Sequence, residues 1–191
     1  ITDEIYEHIL YEGQHLPIAG LPGMRERTVT VSGASKTFSV TGWRVGTIVA
    51  PEAASDAIRK VHDFLTVGAP APLQEAVAEA METLGDAYYQ DLASGYRSRR
   101  DLLMSSLLEA GFRCSPPAGA YYVLADFSGL SGEDDTAFAL RLAKQAGVAP
   151  VPGSSFFADP SDGSHLVRFA FCKSEELLRE AGRRLMATFN A

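Results

Sequence analysis

Apolar positions along this chain recur with two different periods, and the switches between them lay out its elements. Residues 1–6 read as the end of a strand running into a loop. Gly13, Pro17, Gly20, Pro22 and Gly23 punctuate the loop that follows, through residue 27. Thr28-Val29-Thr30-Val31 is a β-branched run and predicts a strand. Trp43 to Ala50 predicts another. Pro51-Glu52 then opens a helix, on which Ala54, Ile58, Val61 and Leu65 share one face. After the break at Gly68-Ala69-Pro70, a second helix carries Leu73, Val77, Ala80, Met81 and Leu84. A third, from about Asp86 to Ala110, carries Leu92, Tyr96, Leu103 and Leu107. Gly111 stands where a helix C-cap is expected.

Beyond Gly111 the period shortens. Phe112-Arg113-Cys114 and Tyr121 to Ala125 predict strands around Pro116-Pro117-Ala118-Gly119. A helix is expected from Asp135 to Ala146, ended by Gly147. Val148 to Val151 predicts a short strand, Pro152 to Ser155 a turn, and His165 to Phe171 a further strand. Ser174-Glu175-Glu176 starts the last helix with a capping hydroxyl and early acids. Leu178, Ala181, Leu185 and Phe189 form its inward face. Interleaved strands and helices make this an α/β chain. The long third helix is the natural join, which gives one domain over residues 1–90 and a smaller α/β domain over 91–191.

Composition narrows the function classes. The chain has 191 residues, 46% hydrophobic and 21% charged, an ordinary globular balance. Its formal net charge of −7 argues against nucleic acid or an anionic membrane surface as a partner. No apolar run is long enough to span a bilayer. The two cysteines, Cys114 and Cys172, sit in no metal-spaced or disulfide pattern, so no metal is expected and a reducing cytoplasm fits. The chain begins in patterned sequence without a methionine, and is expected to be part of a longer polypeptide.

The chemistry concentrates around Lys36. Ser32-Gly33-Ala34-Ser35-Lys36-Thr37 surrounds one lysine with small and hydroxyl side chains, and Arg44 follows eight positions on. A lysine in such a loop is ordinarily just solvated. Here glycines permit close backbone approach, while the hydroxyls and arginine supply donors for an anion. The amine is then a candidate nucleophile. Asp3 and Tyr6, alone, read as a strand end with a phenol beside it. Arg168, in the apolar run Leu166 to Ala170, needs an anion: either one of the chain's own carboxylates or a ligand. His8 and His15 read as loop residues, His62 as structural, and Tyr121 and Tyr122 as core or wall.

Taken together, these segments resemble a known family. Gly33-Ala34-Ser35-Lys36 through Thr41-Gly42-Trp43-Arg44-Val45-Gly46 is similar to the lysine signature of class I pyridoxal-phosphate aminotransferases. Asp3-Glu4-Ile5-Tyr6, Gly119-Ala120-Tyr121-Tyr122, Val151 to Phe156 and Val167-Arg168 match in the same order. Leu21 to Thr28 and Ala125-Asp126-Phe127 most resemble the kynurenine, glutamine and methionine branch. N-succinyldiaminopimelate enzymes look much alike on these residues.

The resemblance implies a fold type I transferase, with part of the large cofactor-binding domain followed by the small domain. It implies pyridoxal 5′-phosphate as cofactor, a homodimer, and an amino acid and a 2-oxo acid as substrates. Lys36 would carry the cofactor as a Schiff base and shuttle a proton. Asp3 would pair with the ring nitrogen and Tyr6 with the ring oxygen. Arg44 would hold the phosphate with Ser35, or less readily Ser32, although relatives place that serine where this chain has Gly33. Arg168 would hold the substrate α-carboxylate. A β-lyase of the same fold, the sensor domain of a fused regulator, and an inactive fragment are the alternatives. The cofactor-binding parts expected upstream are not in these residues, so weak cofactor binding and no useful turnover are expected of the chain alone.

Overall fold

The computed structural model describes residues 1–189. The chain divides into two compact units, Ile1–Ala93 and Ser94–Ala191.

The first unit is built on a three-stranded sheet of β1 (Thr2–Asp3), β2 (Thr30–Gly33) and β3 (Gly46–Val49), in that order. β1 and β2 run parallel, with Thr2 opposite Thr30 and Asp3 opposite Val31. β3 returns antiparallel, pairing Gly33 with Gly46. That pair is close: a Cβ on Gly46 would lie 2.9 Å from the Ser32 carbonyl oxygen. The strand predicted from Trp43 starts only at Gly46, because Thr41–Trp43 winds into a 3-10 turn and Arg44 adopts a left-handed φ of 56°.

The expected Lys36 loop is instead one helical turn, α1 (Ala34–Thr37), closed by the Phe38 N–H donating to the Ala34 carbonyl. Small residues at Gly33, Ala34 and Ser35 let the chain turn directly from strand to helix. Ala34, Val45 and Val77 pack together beneath it, with Phe38 and Leu73 beside them. Two helices follow, α2 (Glu52–Leu65) and α3 (Ala71–Thr83). The predicted apolar face of α2 is only half covered: Ala54 and Ile58 are half-buried, but Val61 is 59% exposed and Leu65 74%.

Helix α4 (Asp86–Glu109) begins in the first unit and ends in the second, and Gly111 caps it at φ +93°. The second unit carries β4 (Tyr122–Asp126), α5 (Asp135–Gln145), β5 (Val151–Pro152), β6 (Leu166–Ala170) and α6 (Glu175–Phe189). Its sheet is antiparallel in the order β4-β6-β5. The strand predicted at residues 112–114 reduces to one bridge, Arg113 to Asp126. The strand predicted at 148–151 reduces to Val151–Pro152, and Gly153–Phe156 then coils into a 3-10 turn.

Alternation on β4 and β6 sends Val123, Ala125, Val167 and Phe169 into the core. Leu103, Leu107, Leu142, Leu178 and Leu185 of the same unit are buried as well. Phe127 and Phe138 stack at 4.0 Å, and Phe112 meets Phe138 and Phe169 edge-on. The opposite face of the same strands presents Tyr122, Leu124, Asp126, Leu166 and Arg168.

Candidate active site

The parallel pairing of β1 with β2 brings the first candidates to one end of a sheet. Asp3 ends β1, and Tyr6 follows in the turn after it. Lys36 sits in α1, immediately after β2. Because the two strands run the same way, Asp3 lies at a carboxyl end, and Tyr6 and Lys36 just beyond carboxyl ends. That is where open α/β sheets bind ligands. Asp3 is exposed, and one of its oxygens accepts from the Ile5 N–H at 3.2 Å. Tyr6 and Lys36 are half-buried.

Arg44 lies on the next turn of chain. Its guanidinium donates to the Thr41 carbonyl at 3.1 Å and borders a cavity of about 580 Å³. Ser32, His62, Thr66 and Gln74 also line that cavity. Arg44 is left-handed at φ 56°, and so is Val67 at φ 63°, between the lining residues Thr66 and Gly68. For a β-branched residue such as valine this is an unusual backbone state, of the kind that clusters at ligand sites. Ser35 is placed differently. It is 8% exposed, outside this cavity, and its carbonyl accepts from the Thr41 hydroxyl at 3.1 Å. Ser32 is the serine that borders the Arg44 cavity, and its hydroxyl donates to Glu7 at 2.7 Å.

Several supports escape sequence reasoning. Glu4, buried beside Asp3, accepts from His15 at 2.8 Å and from the Ile18 N–H at 3.3 Å. His15 is therefore a tether and not merely a loop residue. The Tyr88 hydroxyl donates to the Thr37 carbonyl at 2.7 Å, and its ring lies 5.9 Å from that of Phe38. Burial, with the neighbouring Tyr89, pushes the Tyr88 phenol above its ordinary pKa, so it stays a donor. It pins the turn that carries Lys36 to the start of α4. That pair is 51 residues apart, and no local motif announces it.

In the second unit, Arg168 stands on the open face of the sheet, in a groove of about 820 Å³ with Leu124, Asp126 and Leu166. Among the described residues its guanidinium has no ion pair, so the alternative of an internal carboxylate partner is not realised. Instead Cζ lies 4.0 Å from the ring centre of Tyr122 and 4.0 Å from that of Phe156. Asp126, in the same groove, is engaged elsewhere. It accepts from the Ser128 N–H at 2.7 Å and faces Arg113 at 3.5 Å. Burial works against its ionisation, but the Ser128 hydrogen bonds and the Arg113 charge outweigh it and hold its pKa below the ordinary aspartate value. Among the described residues, no cluster of His, Cys, Asp or Glu could hold a metal. Nor, among the described residues, is any helix long and apolar enough to cross a membrane.

The family model for aminotransferase class I and II matches residues 1–185. The chain belongs to that family. A Mycobacterium tuberculosis relative named as a probable N-succinyldiaminopimelate aminotransferase is 42% identical over 97% of this chain and 49% of its own length. The Escherichia coli methionine aminotransferase is 41% identical over 97% of the chain and 48% of its own. Among solved structures, an N-succinyldiaminopimelate aminotransferase from M. tuberculosis superposes with a TM-score of 0.91 at 41% identity, covering 97% of this chain and 48% of that one. The chain thus spans about half the length of the curated relatives it matches, and carries the corresponding part of a fold type I aminotransferase.

Proposed function

We propose that the protein carrying this chain is a pyridoxal-phosphate-dependent aminotransferase that moves an amino group between an L-amino acid and a 2-oxo acid. The observation that carries the reading is the convergence of Asp3, Tyr6 and Lys36 at the carboxyl ends of two parallel strands. Arg44 stands beside a cavity one turn away. In this reading residues 1–90 are the C-terminal part of the large cofactor-binding domain, residues 91–191 are the small domain, and the protein is a cytoplasmic homodimer.

The donor set fits the cofactor. An amine, a carboxylate, a phenol and a guanidinium match its aldehyde, ring nitrogen, ring oxygen and phosphate in turn. Pyridoxal phosphate, when bound, supplies an aldehyde that captures amines and a ring that draws electrons from the substrate Cα. This chain's residues do the rest. Asp3 would keep a proton on the ring nitrogen through its negative charge. Tyr6 would supply a donor for the ring oxygen. Arg44 would hold the phosphate with its fork of donors, and of the two serines Ser32 is the one that lines the same cavity. Lys36 would hold the cofactor through its amine, and that same amine, when free, would be the base that carries a proton to and from the substrate Cα. Arg168 orients the substrate by its α-carboxylate.

For the amino donor, the motifs and the 41% identical methionine aminotransferase support a methionine, glutamine, aromatic or kynurenine-like side chain. The 42% identical relative supports a succinylated diamino acid as the competing donor. Borohydride reduction after incubation with pyridoxal phosphate, followed by peptide mapping, tests the assignment. A pyridoxyl group fixed on Lys36, and absent from Lys36→Ala, is the expected result. Equal labelling at Lys60, Lys144 and Lys173 overturns it.

A further inference from the structure

We propose that Tyr122 and Phe156 are positioning residues that hold the Arg168 guanidinium ready for a carboxylate without occupying its donors. This rests on the reading of Arg168 as the substrate's carboxylate ligand. Three observations carry it. The first is the contact itself: both rings lie 4.0 Å from the Arg168 Cζ. At that range an aromatic face attracts a cation and replaces part of its lost hydration.

The second is topology. β6 is the middle strand of its sheet. Tyr122 comes from β4 on one side, on the diagonal from Arg168, whose direct partner is Leu124. Phe156 comes from the turn after β5, on the other side, where Val151 sits opposite Arg168. The rings therefore reach the guanidinium from opposite flanks of its strand.

The third is what the arginine lacks. A carboxylate partner would orient it equally well, but would compete with the substrate for the same N–H fork. Among the described residues none is supplied, and Asp126 is held by Arg113 and Ser128. Aromatic faces orient a guanidinium through its π-surface, and its donors point outward in the plane of the group. The turn bearing Phe156 is itself anchored. The Ser154 N–H donates to the buried Asp135 carboxylate at 2.7 Å, and Gly153 packs so tightly that a Cβ there would lie 2.6 Å from the carbonyl oxygens of Gly163 and Leu166.

The test uses the 191-residue chain labelled with ¹⁵N, following the Arg168 Nε–Hε resonance during a pyruvate titration. Loss of that resonance in Arg168→Lys assigns it. Phe156→Leu and Tyr122→Leu are expected to weaken pyruvate binding about 5- to 30-fold, the range that cation–π contacts of this kind support. Each variant should also remove its own ring's share of the ring-current shift on the arginine signal. Tyr122→Phe and Phe156→Tyr should stay within about twofold of the parent, since they keep the ring face. Leucine variants that bind pyruvate like the parent, while Arg168 still responds, overturn the aromatic clamp alone. An Arg168 signal that never responds to pyruvate overturns the carboxylate reading beneath it. The two leucine variants lie on different elements, so failure of one to fold leaves the other to decide.

Discussion

The two units of this chain contain equally well-patterned helices and use them differently. In the second unit the apolar positions are covered: Leu103 and Leu107 of α4, Phe138 and Leu142 of α5, and Leu178 and Leu185 of α6 are each almost inaccessible to water. In the first, α2 leaves Val61 and Leu65 of its patterned face in solvent together with Phe64 beside it, and β3 leaves Ile48 and Val49 there. Buried apolar residues of the first unit are few: Ile9, Tyr11, Ala34, Val45 and Val77. Periodicity identifies which face seeks a partner. Whether these residues supply that partner is decided by how many elements each sheet can recruit. The candidate lysine therefore sits in the thinly packed unit, while the candidate carboxylate ligand sits in the densely packed one.

The sharpest way to break this contrast is to empty each unit in turn. Phe138 is fully buried and touches the rings of Phe112 and Phe127. Phe138→Ala should cost the second unit about 3–5 kcal/mol, the usual cost of an aromatic cavity. Denaturant unfolding followed by near-ultraviolet dichroism measures it. A loss under about 1 kcal/mol would show that the core is loosely packed, against the density expected of interiors.

Next in size is Gly153→Ala. The added Cβ meets backbone oxygen on two sides, so neither neighbour can move away cheaply. A loss toward the upper end of about 1–3 kcal/mol is expected, with a weakened Arg168 response to pyruvate as the turn bearing Phe156 shifts. The same unfolding experiment reads the first effect, and the titration the second.

A smaller, pH-dependent effect comes from Asp135. Its carboxyl is buried, which opposes ionisation, but the hydrogen bonds from Ser154 win and lower its pKa. A depressed folded value means that the contribution is complete above the unfolded aspartate value near about 3.9. It is lost as pH falls through the folded value. Asp135→Asn should lower stability by about 1–2 kcal/mol at neutral pH, as expected for losing a charged acceptor. It should also flatten the acid limb of the pH–stability curve. An unchanged acid limb would assign that limb to other carboxylates, such as Asp126.

What the sequence revealed follows from where its signals lie. Helices α2 to α6 are legible because spacing and caps are local, as the Asp134 side chain shows by accepting from the Ala137 N–H at 2.8 Å. Lys36 and Arg44 are legible because one short stretch carries both. The short strands are not, since β5 keeps only Val151–Pro152 and its neighbours coil. The supports of the site are not legible either. Tyr88 on Thr37, Glu4 on His15 and the two rings on Arg168 are pairings between distant segments. No single window of sequence contains both partners.

The smallest expected effect is the most direct probe of the contrast between units. Phe64 is 94% exposed on α2, whereas the aromatics of the second unit's core are nearly inaccessible. Phe64→Ser removes as large a side chain as Phe138→Ala nearly does. Yet in this chain it should change stability by no more than about 0.5 kcal/mol, because little area is withdrawn from water there on folding. A slight loss of helix propensity should be the main residual. Side-by-side unfolding curves of the two phenylalanine variants make the comparison. If Phe64→Ser instead costs several kcal/mol, residues of this chain must cover α2 in solution, and the first unit is packed more like the second than its exposed faces indicate.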